Sequence, residues 1–94
     1  MNFAAANSDT FPSGVGEIVE DFLTQFFTWK CIDVKQWGKS IYVTFKTGAF
    51  SDLHVKYVQR IARSHGFRLV AYGTRPLDAA EMLVTFVLAP RRRE

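Results

Sequence analysis

Apolar and polar residues alternate through the middle of the chain. Ile32, Val34, Ile41, Val43 and Phe45 take turns with Asp33, Lys35, Tyr42, Thr44 and Lys46, the period of two that marks strands with one buried face. Trp37-Gly38-Lys39-Ser40 separates the two runs, and a glycine at the first central position of a two-residue turn suits the mirror-type turns that join right-twisted strands. With Gly38 and Lys39 as the turn, Ile32 is expected opposite Phe45, Val34 opposite Val43 and Gln36 opposite Ile41, so both apolar sets share one face. The other face then carries Asp33, Lys35, Trp37, Tyr42, Thr44 and Lys46.

Helical spacing governs the segments on either side. Val15, Ile18, Val19, Phe22, Phe26 and Trp29 fall on one side of a helix, and Glu17, Glu20, Asp21, Thr24, Gln25 and Thr28 on the other. Leu23 and Phe27 widen the apolar stripe. A broad core-facing helix is the plain account of that width, and a subunit contact along this flank is the sharper one. Ser51 is a good N-cap for a second helix with Asp52 in its first turn and Gly66 at its C-terminal end. Leu53, Tyr57, Val58, Ile61 and Ala62 make its apolar face, and Lys56, Arg60 and Arg63 a basic stripe opposite.

Phe67 to Tyr72 reads as a third strand. Met82 to Ala89 reads as a fourth, apolar on both faces and therefore expected inside the sheet. The connection between them leaves room for a helical turn at Leu77 to Ala80. The order is αββαββ, an α+β chain expected to form a two-layer α/β sandwich: a four-stranded mixed sheet with both helices on one face, joined through a right-handed βαβ crossover. An arrangement that places the last strand inside and the first hairpin at an edge is a circular permutation of the ferredoxin-like order.

Ninety-four residues, 48% hydrophobic and 15% aromatic, suffice for one small globular core and leave no room for a second domain. The expected division is a flexible tail over residues 1–12, a domain over 13–90 and a basic tail over 91–94. The lone Cys31 excludes an internal disulfide framework and a cysteine-rich zinc site, and suits a reducing compartment. No signal or membrane-spanning pattern is present, so a cytoplasmic location is expected. Charge is uneven. Residues 1 to 29 hold Asp9, Glu17, Glu20 and Asp21 without a Lys or Arg, which is −4; the remainder holds twelve bases and five acids, which is +7. That asymmetry fits an anionic partner for the second part.

Little in the chain suggests catalysis. His54 and His65 both project onto the apolar side of the second helix, eleven residues or roughly 16 Å apart, so they cannot share a metal ion. Each is expected to be hydrogen-bonded at the edge of the core. Cys31 carries no nucleophile signature, and Asp33, Asp52 and Asp78 have no paired spacing for acid–base work. Gly14-Val15-Gly16 resembles a phosphate loop, but it lacks a third Gly or a Lys and is flanked by acids. No cofactor and no metal is expected.

The open sheet face is the one constellation that asks for a ligand. It is expected to carry Lys35, Trp37, Tyr42 and Lys46, joined by Arg68, Val70 and Tyr72 if Phe67, Leu69 and Ala71 point inward. Aromatic rings on strands can stack unpaired bases while Lys and Arg neutralise phosphates. The analogy is with sheet-platform RNA binders, at the level of fold and without a sequence motif of theirs. The expectation is a non-enzymatic module that binds single-stranded nucleic acid through this face, Arg75 and the Arg91, Arg92 and Arg93 tail. The rival is a protein partner or homodimer on the same face, where Val70, Tyr72, Leu83 and Val87 would form an apolar patch.

Overall fold

The computed structural model describes residues 15–91. Within them run α1 (Val15–Gln25), β1 (Lys30–Trp37), β2 (Ser40–Thr47), α2 (Asp52–Ser64), β3 (Phe67–Pro76) and β4 (Met82–Pro90). The proposed 1–12 tail, Gly14, Arg92 and Arg93 lie outside the described residues.

The chain has an α+β fold with one four-stranded sheet in the order β1-β2-β4-β3. All three neighbouring pairs are antiparallel, which corrects the expectation of a mixed sheet. β2 and β3 do run the same way across α2, but β4 returns by a hairpin and inserts between them, so no parallel ladder forms. The reason lies in β4 itself: Val84, Phe86 and Leu88 are buried on one side while Leu83, Thr85 and Val87 remain half-buried on the other. A strand with so little polar surface is best placed in the sheet interior.

The β1–β2 turn follows the sequence expectation. Gly38 has φ +64° and no non-glycine residue among those described has a positive φ, so only the first central position is left-handed, as in a type II′ turn. Val34 pairs with Val43 and Gln36 with Ile41. Farther along, the register shifts between Cys31 and Asp33, and Cys31, not Ile32, lies opposite Phe45. Ile32 is the extra residue of a β-bulge and is 51% exposed. The bulge turns the half-buried Cys31 inward and Ile32 outward, reversing the expected facing of both.

α1 closes sooner than its apolar spacing suggests. It ends at Gln25, and a turn carries Phe26 and Trp29 on into the core through Phe26 N–H to Phe22 O (2.7 Å) and Trp29 N–H to Phe26 O (2.8 Å). α2 is held at its start by Ser51 and His54 and ends at Gly66, where φ is +83°; that left-handed value is what the C-terminal glycine permits. The helices pack antiparallel: Asp21 meets His65, whereas Phe26 at the other end meets His54 and Tyr57. Leu53, expected on the apolar face of α2, is instead 58% exposed.

The core is dominated by rings. Phe86 lies among Phe22, Trp29, Phe45, Phe50 and Tyr72, with centroids 6.0–6.4 Å away, and Trp29 stacks on Phe26 at 4.5 Å. Such separations suit edge-to-face and offset packing. β3 extends to Pro76, past its expected end at Tyr72, and no helical turn forms at Leu77 to Ala80. Asp78 organises that connection, its Oδ1 accepting from the N–H groups of Ala80 (2.8 Å) and Glu81 (2.9 Å), a local bond that competes with helix formation.

Candidate functional site

The sheet face away from the helices is built as rows across the four strands. One row is Lys35, Tyr42, Val87 and Ala71; the next is Asp33, Thr44, Thr85 and Gly73; the third is Lys30, Lys46, Leu83 and Arg75. At its centre the hydroxyls of Thr44 and Thr85 are hydrogen-bonded across β2 and β4 at 2.9 Å. Trp37, opposite Ser40, and Arg68, opposite Ala89, lie at one end of the face. Trp37 is 77% exposed and Tyr42 36%. Trp37 and Tyr42 are diagonal neighbours on adjacent strands, a relation that puts side chains roughly 7 Å apart.

Two shallow grooves cross this surface. One of about 440 Å³ is bounded by Trp37, Tyr42, Lys35 and the threonine pair. The other, about 450 Å³, runs between Ile32, Leu83, Gly73 and Arg75. Lys35 lies 3.7 Å from Asp33 and Lys46 3.9 Å from Glu81; contacts this long and this exposed hold a lysine weakly, leaving it able to turn toward a phosphate. Arg68 and Arg75 have no ion pair among the described residues.

Comparison with known proteins finds no match to any family model, curated protein or solved structure. What the site can do is therefore argued from its own residues.

The structure brings together Lys35, Trp37, Tyr42, Lys46, Arg68 and Arg75 on one face, and it moves Tyr72 off it. The register of β3 against β4 shifts between Leu69 and Ala71, so Val70 is an extra residue at the sheet edge and the alternation inverts beyond it. Ala71, not Tyr72, then lies beside Val87 on the open face. Tyr72 lies opposite Phe86 and faces the helices, its ring 5.7 Å from Phe50. Arg91 is exposed, with its N–H bonded to Gly66 O at 2.9 Å near the end of α2. Lys30 and Ile32 join the face because of the β1 bulge. The sequence sign of that bulge is the adjacent Cys31-Ile32 pair, two apolar residues where strict alternation allows one.

The histidines are occupied in the architecture. Ser51 N–H donates to Nδ1 of His54 at 2.9 Å, completing a capping box, and the ring packs against Phe26, Trp29 and Phe50. That bond places the proton of the neutral ring on Nε2. Nε2 of His65 is 2.6 Å from Oδ2 of Asp21, tying α2 to α1. His54→Ala removes both the cap and the ring contacts and is expected to cost about 2 kcal/mol of stability, measured by urea unfolding; a cost below about 0.5 kcal/mol would show that the cap is not needed.

Cys31 is half-buried, and burial pushes its thiol pKa up; an N–H bond from the Asp33 backbone opposes that shift and the Asp33 carboxylate adds to it. A raised pKa means less thiolate at neutral pH. Iodoacetamide should therefore modify Cys31 more slowly in the folded protein than in urea at pH 7.5, with the rate in the folded state rising at higher pH. Equal rates at pH 7.5 would contradict this environment. Among the described residues no three His, Cys, Asp or Glu side chains gather as a metal site, and no helix is long and apolar enough to cross a membrane.

Proposed function

We propose that this protein is a non-enzymatic binding module that holds single-stranded nucleic acid on its open sheet face. The observation that carries the reading is the pair Trp37 and Tyr42, exposed on adjacent strands and flanked by Lys35, Lys46, Arg68 and Arg75. An exposed tryptophan on a strand leaves a large apolar ring in water, a cost that a stacked base removes. The neighbouring cations supply phosphate contacts without reading sequence. Arg91 carries an exposed positive charge just beyond β4, and Arg92 and Arg93 follow it in the sequence. The same reading takes the fold as a two-layer sandwich with a circularly permuted ferredoxin-like order, and the location as cytoplasmic. The strand order and the lone thiol are its support.

Fluorescence anisotropy tests this with labelled single-stranded RNA, single-stranded DNA and duplex DNA, each at low and near-physiological salt. Single strands should bind best, and Trp37→Ala with Tyr42→Ala should weaken them strongly, because each stack contributes about 1–3 kcal/mol. Binding that vanishes at moderate salt without regard to the rings would reduce the face to a diffuse positive field.

A second reading is carried by Ile32, Leu83 and Val87, apolar side chains that a protein would cover on the same face. A dimer that dissociates on Val87→Asp, together with absent nucleic-acid binding, would favour it.

A further inference from the structure

The helices carry opposite charges on their outer surfaces. On α1 the exposed residues include Glu17, Glu20 and Asp21, and on α2 they include Lys56, Arg60 and Arg63. Asp21 is engaged by His65, while Glu17, Glu20, Lys56, Arg60 and Arg63 make no ion pair among the described residues. Side by side and antiparallel, the helices thus present an acidic strip next to a basic one.

The other end of the same surface is apolar. Phe27 follows the end of α1 and is 84% exposed, the highest value for a large hydrophobic among the described residues; Leu53 in the first turn of α2 is 58% exposed. Their chain neighbours Phe26 and His54 touch, with ring centroids 5.3 Å apart, so Phe27 and Leu53 belong to one end of the helix pair. The Asp21–His65 contact marks the opposite end, where Glu17, Glu20 and the Arg63 turn of α2 lie.

We propose that this helical surface binds a second copy of the chain. A two-fold axis running parallel to the helices, between them, lays α1 of one copy over α2 of the other and preserves position along the helix. Acidic residues 17 and 20 of each copy then meet Arg60 and Arg63 of its partner, and Phe27 meets Leu53, both twice over. An isologous interface requires such self-complementarity, and here charge and apolarity satisfy it under a single operation. A diffuse anionic ligand would explain the basic strip but leave the acidic strip and Phe27 without a role. The surface is separate from the open sheet face, so dimer formation leaves Trp37 and Tyr42 accessible.

Analytical ultracentrifugation of the full chain, with nucleic-acid binding followed separately, is the test. The wild type should dimerise at protein concentrations up to about 100 μM and weaken as salt rises. Glu17→Lys/Glu20→Lys and Arg60→Glu/Arg63→Glu each place like charges in contact and should each weaken self-association by at least roughly tenfold. Mixed in equal amounts, those two variants should form a heterodimer, because the reversed strips again face opposite charge. Phe27→Asp should be monomeric. All of these positions are exposed, so circular dichroism should show an unchanged fold. A monomeric wild type, a dimer indifferent to the reversals, failure of the mixture to associate, or a dimer broken by Val87→Asp would each overturn the proposal. Loss of nucleic-acid binding alone would leave it standing.

Discussion

Phe86→Ala is expected to lower the unfolding free energy by about 3–5 kcal/mol. Phe86 is fully buried on the interior strand β4, and its ring is surrounded by Phe22, Trp29, Phe45, Phe50 and Tyr72. Strands β2 and β3 flank it by hydrogen bonding on both sides, so the backbone cannot settle into the space left by the ring. The cavity term then adds to the lost transfer energy. For a domain whose total stability is of order 5–15 kcal/mol, such a loss takes the protein close to unfolding at ordinary temperature. Urea denaturation followed by far-UV circular dichroism measures it. Val87→Ala, one residue along and on the open face, should cost about 1 kcal/mol or less. Equal costs at the two positions would mean that the open face is packed against something.

The second large effect concerns the rings of the open face. Trp37→Ala combined with Tyr42→Ala should weaken single-strand binding at least about thirtyfold, from two stacks of 1–3 kcal/mol each. Tyr72→Ala separates the structural account from any sum over aromatic residues. Because the β3 bulge directs Tyr72 toward Phe50 and Phe86, its removal should lower stability by about 1–2 kcal/mol and change affinity by less than about threefold. Anisotropy and urea unfolding on the same preparations provide both numbers. A Tyr72→Ala variant that binds as poorly as Trp37→Ala would place the ligand elsewhere.

Much of this molecule was legible as a string of residues. The hairpin turn at Gly38, the capping of α2 by Ser51 and its stop at Gly66, and the alternation of β2 depend on neighbours within a few positions. Local sterics and hydrogen bonds are enough to specify them. Lys35, Trp37, Tyr42 and Lys46 could also be assigned to one face, because a turn of known length sets their parity.

Away from the first hairpin's turn, parity depends on how each strand packs as well as on its own alternation. Ile32 and Val70 are bulged because neighbouring strands had to keep their apolar sides in the core around an extra residue. One such residue inverts the facing of the strand on its far side, which is why Tyr72, past Val70, faces the helices, and Lys30, separated by Ile32 from the hairpin turn, faces the open side. The wholly antiparallel sheet arises in the same way: two-sided apolarity predicts that β4 is internal, but the pairing with β2 and β3 sets its direction. Periodicity along the chain thus determined which elements form and the buried faces of α1, β2 and β4, since it reflects each segment's own contact with water. Which strands pair, where register slips and which exposed side chains share a surface were decided by packing between segments, whose energies no single segment contains.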